Sequence, residues 1–335
     1  MLDAYAALAN EIFSRVYSDT NQDEMHHWLS RQVAKLATVK EDDAALPWLD
    51  SIEAYQQILD ERQRMAALPE GERRLFVWPW ATWNKIIDPL EPGLLAILAA
   101  GDGMGKTIYA ENIAEHWARQ GHKVLFAHFE LNRVVMLDRR AARHTGIQRR
   151  TLKGGVFNPG EMEQIAAMSN DLPEWAGGIT YLHCPGWSIE QVTNEAKRMQ
   201  EDGLCDALII DYLEKAGWSG HQMKLYRGNT FQKEASDVET VKNFSEQTEI
   251  PTFMLAQMNK GGKTKDFEDL NRTDMRGAGE KSEKANIVVL LHRENAESPL
   301  INVRVDKNTL GATGSFQQYL LGARFRVADV VKEEL

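Results

Sequence analysis

The stretch "LLAILAAGDGMGKTIYAENIAEHW", residues 94–117, constrains the fold of this 335-residue chain more than any other. An apolar run, a glycine-rich turn and an amphipathic pattern starting at Thr107 are the strand, loop and helix of a phosphate-binding P-loop. The backbone N–H groups of Gly101, Asp102, Gly103, Met104 and Gly105 are expected to form an anion nest at a helix N-terminus. Lys106 can then reach the β and γ phosphates of a nucleotide, and the Thr107 hydroxyl can hold Mg²⁺. The usual first glycine of such a loop is Ala100 here. Gly101 and Gly103 are expected to supply the flexibility.

Short apolar runs alternate with helical stretches from residue 76 onward: "LLAILAA", "KVLFAHFE", "ITYLHC", "DALIIDYL", "IPTFMLAQMN" and "NIVVLLHRE". Continuous apolar strands separated by helices predict an α/β fold with a mainly parallel sheet covered on both faces. "INVRVDK" and "SFQQYLLGARFRVAD" read as antiparallel strands at its C-terminal end. Ser188, with Gln191 three residues on, is a capping box that opens one helix, and another is expected over residues 230–247. Residues 1–75 read as a small helical N-terminal segment with a linker helix. Ile52, Tyr55, Ile58, Leu59 and Met65 share one face of that helix, which should stop near Leu68-Pro69-Glu70-Gly71. The segment is either a small bundle or an arm that packs on another subunit.

The formal charge of −10 argues against a wholly basic surface but leaves room for a local basic channel. A hydrophobic content of 43% is enough for a core. Cys184 and Cys205 form no CxxC or Cys/His pattern, so neither a disulfide framework nor a zinc site is implied. The N-terminus lacks a basic region before an apolar one, and the longest apolar run is far shorter than a membrane span. A soluble cytoplasmic protein without a membrane partner is expected.

Asp211, closing "ALIID", is the natural Walker B carboxylate and second Mg²⁺ ligand, at the strand edge where α/β sheets bind ligands. Tyr212 follows it, so the general base must come from elsewhere. Glu130 closes the strand "KVLFAHFE" and would face the γ phosphate, which makes it the leading candidate; Glu214 is the rival. Trp78, Trp80 and Trp83 in "VWPWATW" read as packing at a domain junction rather than as a base-stacking platform.

In these motifs the chain resembles the RecA-like motor domain of DnaB-type hexameric replicative helicases, a family related to phage primase-helicases and Twinkle. "AAGDGMGKTIYAENIAEHWA" is similar to the family's P-loop, A-x-P-x-M-G-K-T, where alanine in the first position is typical. "VLFAHFELNRVVMLDRRAARHTGI" resembles the motif whose catalytic glutamate falls on Glu130. "LIIDYLEKA" resembles its Walker B motif, and "TFMLAQMNK" the strand carrying a γ-phosphate-sensing Gln, here Gln257. The resemblance covers about residues 76–329 and implies a RecA-like P-loop NTPase with ATP and Mg²⁺ as cofactors, its catalytic group being Lys106, Glu130, Asp211 and Gln257.

The resemblance also implies a ring homo-oligomer, a hexamer, in which a neighbouring subunit inserts a Lys and an Arg beside the nucleotide. Lys307 matches the lysine, while the arginine position holds Thr309, leaving Arg304 or Arg324 as substitutes. The family's two central loops correspond to "EKAGWSGHQMKLYRGNTFQKE" and "NKGGKTKDFEDLNRTDMRGAG". Their cations Lys215, Lys224, Arg227, Lys233, Lys260, Lys263, Lys265 and Arg272, interleaved with Gly, suit single-stranded DNA. Movement 5′ to 3′ during replication is implied, as is a primase or loader reached through the N-terminal segment. The alternative is a RecA-like regulatory or recombination-mediator ATPase that binds DNA without unwinding it.

Overall fold

The computed structural model describes residues 48–68, 75–295 and 297–330, with scattered positions between 12 and 29. The chain divides into two compact units, residues 1–73 with 220–225, and residues 74–219 with 226–335. In the first unit, helix α1 (Trp48–Ala67) exposes Ile52, Tyr55, Ile58 and Leu59, and the chain bends at Leu68. The side chain of Met65, the expected stop at Pro69–Gly71 and the expected bundle or arm before residue 48 lie outside the described residues.

In the second unit the chain runs through α2 (Ala81–Asn84), β1 (Leu95–Ala100), α3 (Lys106–Arg119), β2 (Val124–His128) and α4 (Arg133–Thr145). It continues through α5 (Arg149–Gly154), α6 (Pro159–Trp175), β3 (Ile179–His183), α7 (Ile189–Glu201) and β4 (Ala207–Asp211). Residues 220–225 of α8 (Gly220–Tyr226) belong to the first unit, and the second resumes with α9 (Thr230–Thr248), β5 (Thr252–Gln257), α10 (Ala278–Lys284), β6 (Ile287–His292), β7 (Leu300–Asn308), β8 (Gly314–Leu321) and β9 (Arg326–Asp329). The strands form one nine-stranded sheet in the order β3-β2-β4-β5-β1-β6-β7-β8-β9. Pairing is parallel from β3 to β6 and antiparallel from β6 to β9, as the apolar runs predicted.

Burial on both faces explains the continuous apolar strands. In β1, Ala96, Leu98 and Ala100 join one core with α3, while Leu95, Ile97 and Ala99 join the other with α7 and α9. The first core holds the tryptophan cluster: Trp78, Trp80 and Trp83 are buried and ring-packed with Trp117 and Tyr109. Their indole N–H groups donate to Asp88 O, Val327 O and Gln318 Oε1, and the burial of all three rings fits packing rather than base stacking. The Ser188–Gln191 capping box forms as read, with reciprocal bonds of 2.9 and 3.3 Å. Among the described residues no helix is long and apolar enough to cross a membrane.

Strand register places the chemistry. Ala100 pairs with Gln257 and His128 with Asp211, so β1, β5, β2 and β4 end along one edge of the sheet. Each strand releases its loop at that edge.

Candidate functional site

The loop leaving β1 turns through residues 101–105 into α3, which begins at Lys106, one residue earlier than the sequence pattern suggested. The left-handed φ values fall on Gly103 (+72°) and Gly105 (+98°). The flexibility expected at Gly101 is therefore supplied by Gly105. A Cβ there would also sit 2.9 Å from Leu320 Cδ2, the movable end of a side chain, so the φ of +98° is the stronger demand for glycine.

Lys106 is buried, and its ammonium donates to Ala100 O at 3.0 Å and Gly101 O at 2.9 Å. Burial lowers its pKa, while Asp102, Asp211 and Glu214 pull in the opposite direction. Thr107 hydrogen-bonds the buried Asp211 carboxylate. Burial is also the largest influence on Asp211 and pushes it up to about 6 against that bond; Glu111 adds to the rise, and Lys106 and Arg139 oppose it.

These groups line a cleft of about 550 Å³ with Asp102, Ile108, His128, Glu130, Leu131, Arg139, Tyr212 and Gln257. Glu130 stands two residues past the end of β2 rather than closing it, on a bend. Its carboxylate is over half exposed, 3.9 Å from Lys215 Nζ. Glu214 differs in every respect. It is buried, accepts from the Gln257 backbone N–H at 3.0 Å, and pairs with the fully buried Lys281 at 2.5 Å. Lys281 reaches Glu234 as well, at 3.3 Å. The two glutamates that sequence left as rivals thus have different surroundings, one open to the cleft and one locked in a charge network.

Gln257 Nε2 donates to Asp102 Oδ1 at 2.8 Å, and Lys263 Nζ to Asp102 Oδ2 at 2.6 Å. The Lys263 bond holds the Asp102 carboxyl below its ordinary range. His128 and Arg139 line the cleft without having been singled out from sequence. His128 faces Asp211 in the strand register, and burial, then His183 and Arg139, lower it to about 4. Arg139 Nη1 lies 3.5 Å from Glu111 Oε1. The signals were the last position of an apolar strand and the arginine-rich α4, neither of which reveals a strand neighbour.

Thr107 and Asp211 offer two hard oxygens at the loop. Mg²⁺ takes one or two protein oxygens and completes its shell with phosphates and water. A buried carboxylate bonded to a neutral hydroxyl fits that role.

The remaining expected residues spread more widely. Lys307 donates to Ser282 O (2.8 Å) and Glu283 O (2.9 Å) near the C-terminal end of α10. Arg304 donates to Glu268 O and Leu270 O and lies over the Phe267 ring. Neither lines this chain's own cleft, and Arg324 and Thr309 are exposed. Among the loop cations, Lys224, Arg227 and Lys260 are exposed. Lys265 pairs with Asp274 at 2.8 Å and Arg272 with Asp306 at 3.7 Å. Lys233, expected on a solvated loop, is instead buried in α9, 2.6 Å from Asp237, and donates to Ala216 O. Lys263 is committed to the P-loop and Lys215 lies beside Glu130.

The family model described as the DnaB-like helicase C-terminal domain matches residues 80–326. The replicative DNA helicase DnaB of Geobacillus stearothermophilus is 23% identical over 67% of this chain and 49% of its own length. That of Leifsonia xyli is 23% identical over 96% and 66%. A probable plasmid replicative DNA helicase of Chlamydia psittaci is 25% identical over 68% and 49%. The chain thus spans about half the length of most of these relatives. Among solved structures, one described as an ATPase domain superposes with a TM-score of 0.71 at 15% identity, over 83% of this chain and 98% of that one. A DnaB-like replicative helicase, described with its interactions with primase, gives 0.76 at 14%, over 98% and 76%. The sheet order, the P-loop edge and the match over residues 80–326 agree: this chain belongs to the DnaB-like helicase C-terminal domain family and has its RecA-like ATPase fold.

Proposed function

We propose that the chain hydrolyses ATP with Mg²⁺ at this cleft and uses the energy to move on single-stranded DNA and unwind duplex during replication. The observation that carries the reading is the convergence of Lys106, Thr107, Asp211, Glu130 and Gln257 on one cleft, with Glu130 open to it and Glu214 locked away. Lys106 exchanges the carbonyls of Ala100 and Gly101 for phosphate oxygens. Glu130 accepts a proton from water as the water oxygen bonds to the γ phosphorus and the bond to the β–γ bridging oxygen breaks, releasing ADP and phosphate. Gln257 is placed to report the terminal phosphate. Mg²⁺, when held by Thr107 and Asp211, neutralises phosphate charge.

A ring homo-oligomer, a hexamer, is part of this reading, with Lys307 and Arg304 offered to a neighbour's nucleotide. The DNA contacts in this reading are Lys215, Lys224, Arg227, Lys260, Lys263, Lys265 and Arg272, with Lys265 leaving Asp274 and Arg272 leaving Asp306 to reach the strand. A primase or loader engages the N-terminal segment, and the setting is cytoplasmic. One observation favours a second reading, a RecA-like regulatory or mediator ATPase: Thr309 stands at the finger arginine's position. The test measures ATP turnover with and without single-stranded DNA, together with strand displacement from a 5′-tailed fork. Turnover stimulated by DNA with displacement is expected; stimulation without displacement would select the second reading.

A further inference from the structure

Asp102 gathers the two side chains that come from the end of β5 and the loop after it. Its carboxylate lines the cleft, is mostly exposed, and takes one bond from Gln257 and one from Lys263. The turn that carries Lys263, residues 262–264, is pinned independently of those bonds. Gly262 N–H donates to Asn259 Oδ1 at 2.7 Å and Lys263 N–H to Asn259 O at 3.2 Å, while Asn259 N–H donates to Asp274 O at 2.8 Å. Gly262 is packed so closely that a Cβ would lie 2.6 Å from Asp274 Cβ. The Lys263 stem runs against the P-loop, its Cγ 3.8 Å from where a Gly101 Cβ would be. The backbone is therefore held and the ammonium alone can change partner.

Two donors converging on a single anion beside a phosphate cradle form a phosphate-like environment in which a carboxylate occupies the acceptor role. A nucleoside triphosphate brings a more strongly charged acceptor to the same cleft and repels Asp102. Both effects move the donors from carboxylate to phosphate.

We propose that Lys263 is a second phosphate-binding lysine, supplied by this chain's own loop, and that Asp102 holds it and Gln257 until a terminal phosphate arrives. The inference rests on the nucleotide reading above. It gives the site a cation from its own chain, where Thr309 offers none from the finger position. It also ties the loop after β5 to the nucleotide state, because Lys263 bonds to Asp102 in one state and to the phosphate in the other.

The experiment uses the full chain with Mg²⁺ and measures the Kd of ADP and of a non-hydrolysable ATP analogue, with kcat and KM for ATP. The variants are Lys263→Met, Lys263→Arg, Asp102→Asn and Lys106→Ala. Lys263→Met should weaken the analogue by about 10- to 100-fold, the worth of a charge-assisted hydrogen bond, and leave ADP unchanged. Its kcat should fall more than its KM rises, and Lys263→Arg should restore most of both. Asp102→Asn should tighten the analogue, an effect of opposite sign that holds even if Lys263→Met folds poorly. Equal losses for ADP and analogue, or none, would overturn the assignment and leave Lys263 a structural clamp. If the wild type binds neither nucleotide, or Lys106→Ala binds both as well as the wild type does, the nucleotide reading falls and the Lys263 assignment with it.

Discussion

Substituting Arg143 by Met should destabilise the protein severely without touching the nucleotide. The Arg143 guanidinium is 4% exposed and lies beneath α3, 2.6 Å from Glu111 Oε2 and 2.5 Å from Glu115 Oε1, with a further bond to Phe325 O at 3.2 Å. Removing one partner of a buried ion pair costs about 3–5 kcal/mol, because the remaining charge stays buried. Compensation is partial: Glu111 keeps Arg139 at 3.5 Å, and Glu115 keeps Arg140 at 3.6 Å and His144 at 3.1 Å. That places the cost near the lower end, about 3 kcal/mol. At about 2–4 °C per kcal/mol for a domain of this size, Tm should fall by about 6–12 °C. Thermal unfolding of the full chain reads this directly, with Arg198→Met as the control. Arg198 pairs with Glu195 and Asp202 on the surface, so its loss should leave Tm unchanged. An Arg143→Met protein melting within about 2 °C of wild type would refute the claim that these charges are held out of water.

Other outcomes follow from the same geometry. Gly105→Ala forces a side chain into φ +98° against Leu320, and should cost about 1–3 kcal/mol in urea unfolding and abolish nucleotide binding. Glu115 is pushed up by burial, but Arg143 and His144 outweigh this and hold it at about 2, below its ordinary 4.5. Its ionised form therefore stabilises the fold above pH 4.5 and loses that contribution as pH falls toward 2, so Glu115→Gln should flatten the acid limb of a stability-versus-pH curve. Glu214→Gln should lower Tm by weakening the Lys281 pair, yet leave measurable turnover in the folded protein.

Much of the sheet was legible because each parallel strand is buried on both faces, which writes an uninterrupted apolar run such as "LLAIL" or "ALIID". The P-loop was legible because its GDGMGKT string stands between an apolar strand and an amphipathic helix, although the left-handed φ values fall on Gly103 and Gly105 rather than on Gly101 and Gly103. What escaped depends on neighbours far apart in sequence. Lys233 looked like a loop cation, but α9 turns it inward to Asp237, four residues on. Glu130 and Glu214 each follow a strand, and partners distant in the chain, Lys281 and the Gln257 N–H on Glu214, separate their surroundings. Glu111 and Glu115 are spaced like a solvated helix face, and their burial becomes sensible only once α4 brings Arg139, Arg140 and Arg143 against them. His128 needed its register partner, Asp211, before it could be placed in the cleft.

The central claim, that this cleft binds ATP and that Glu130 drives its hydrolysis, is tested most directly by Glu130→Gln. Steady-state ATP turnover and ATP affinity should be measured side by side in the variant and the wild type. Affinity should be unchanged and turnover reduced by about 100-fold or more, the usual contribution of a general base. Turnover that survives the substitution would contradict the claim and reassign the base within the cleft.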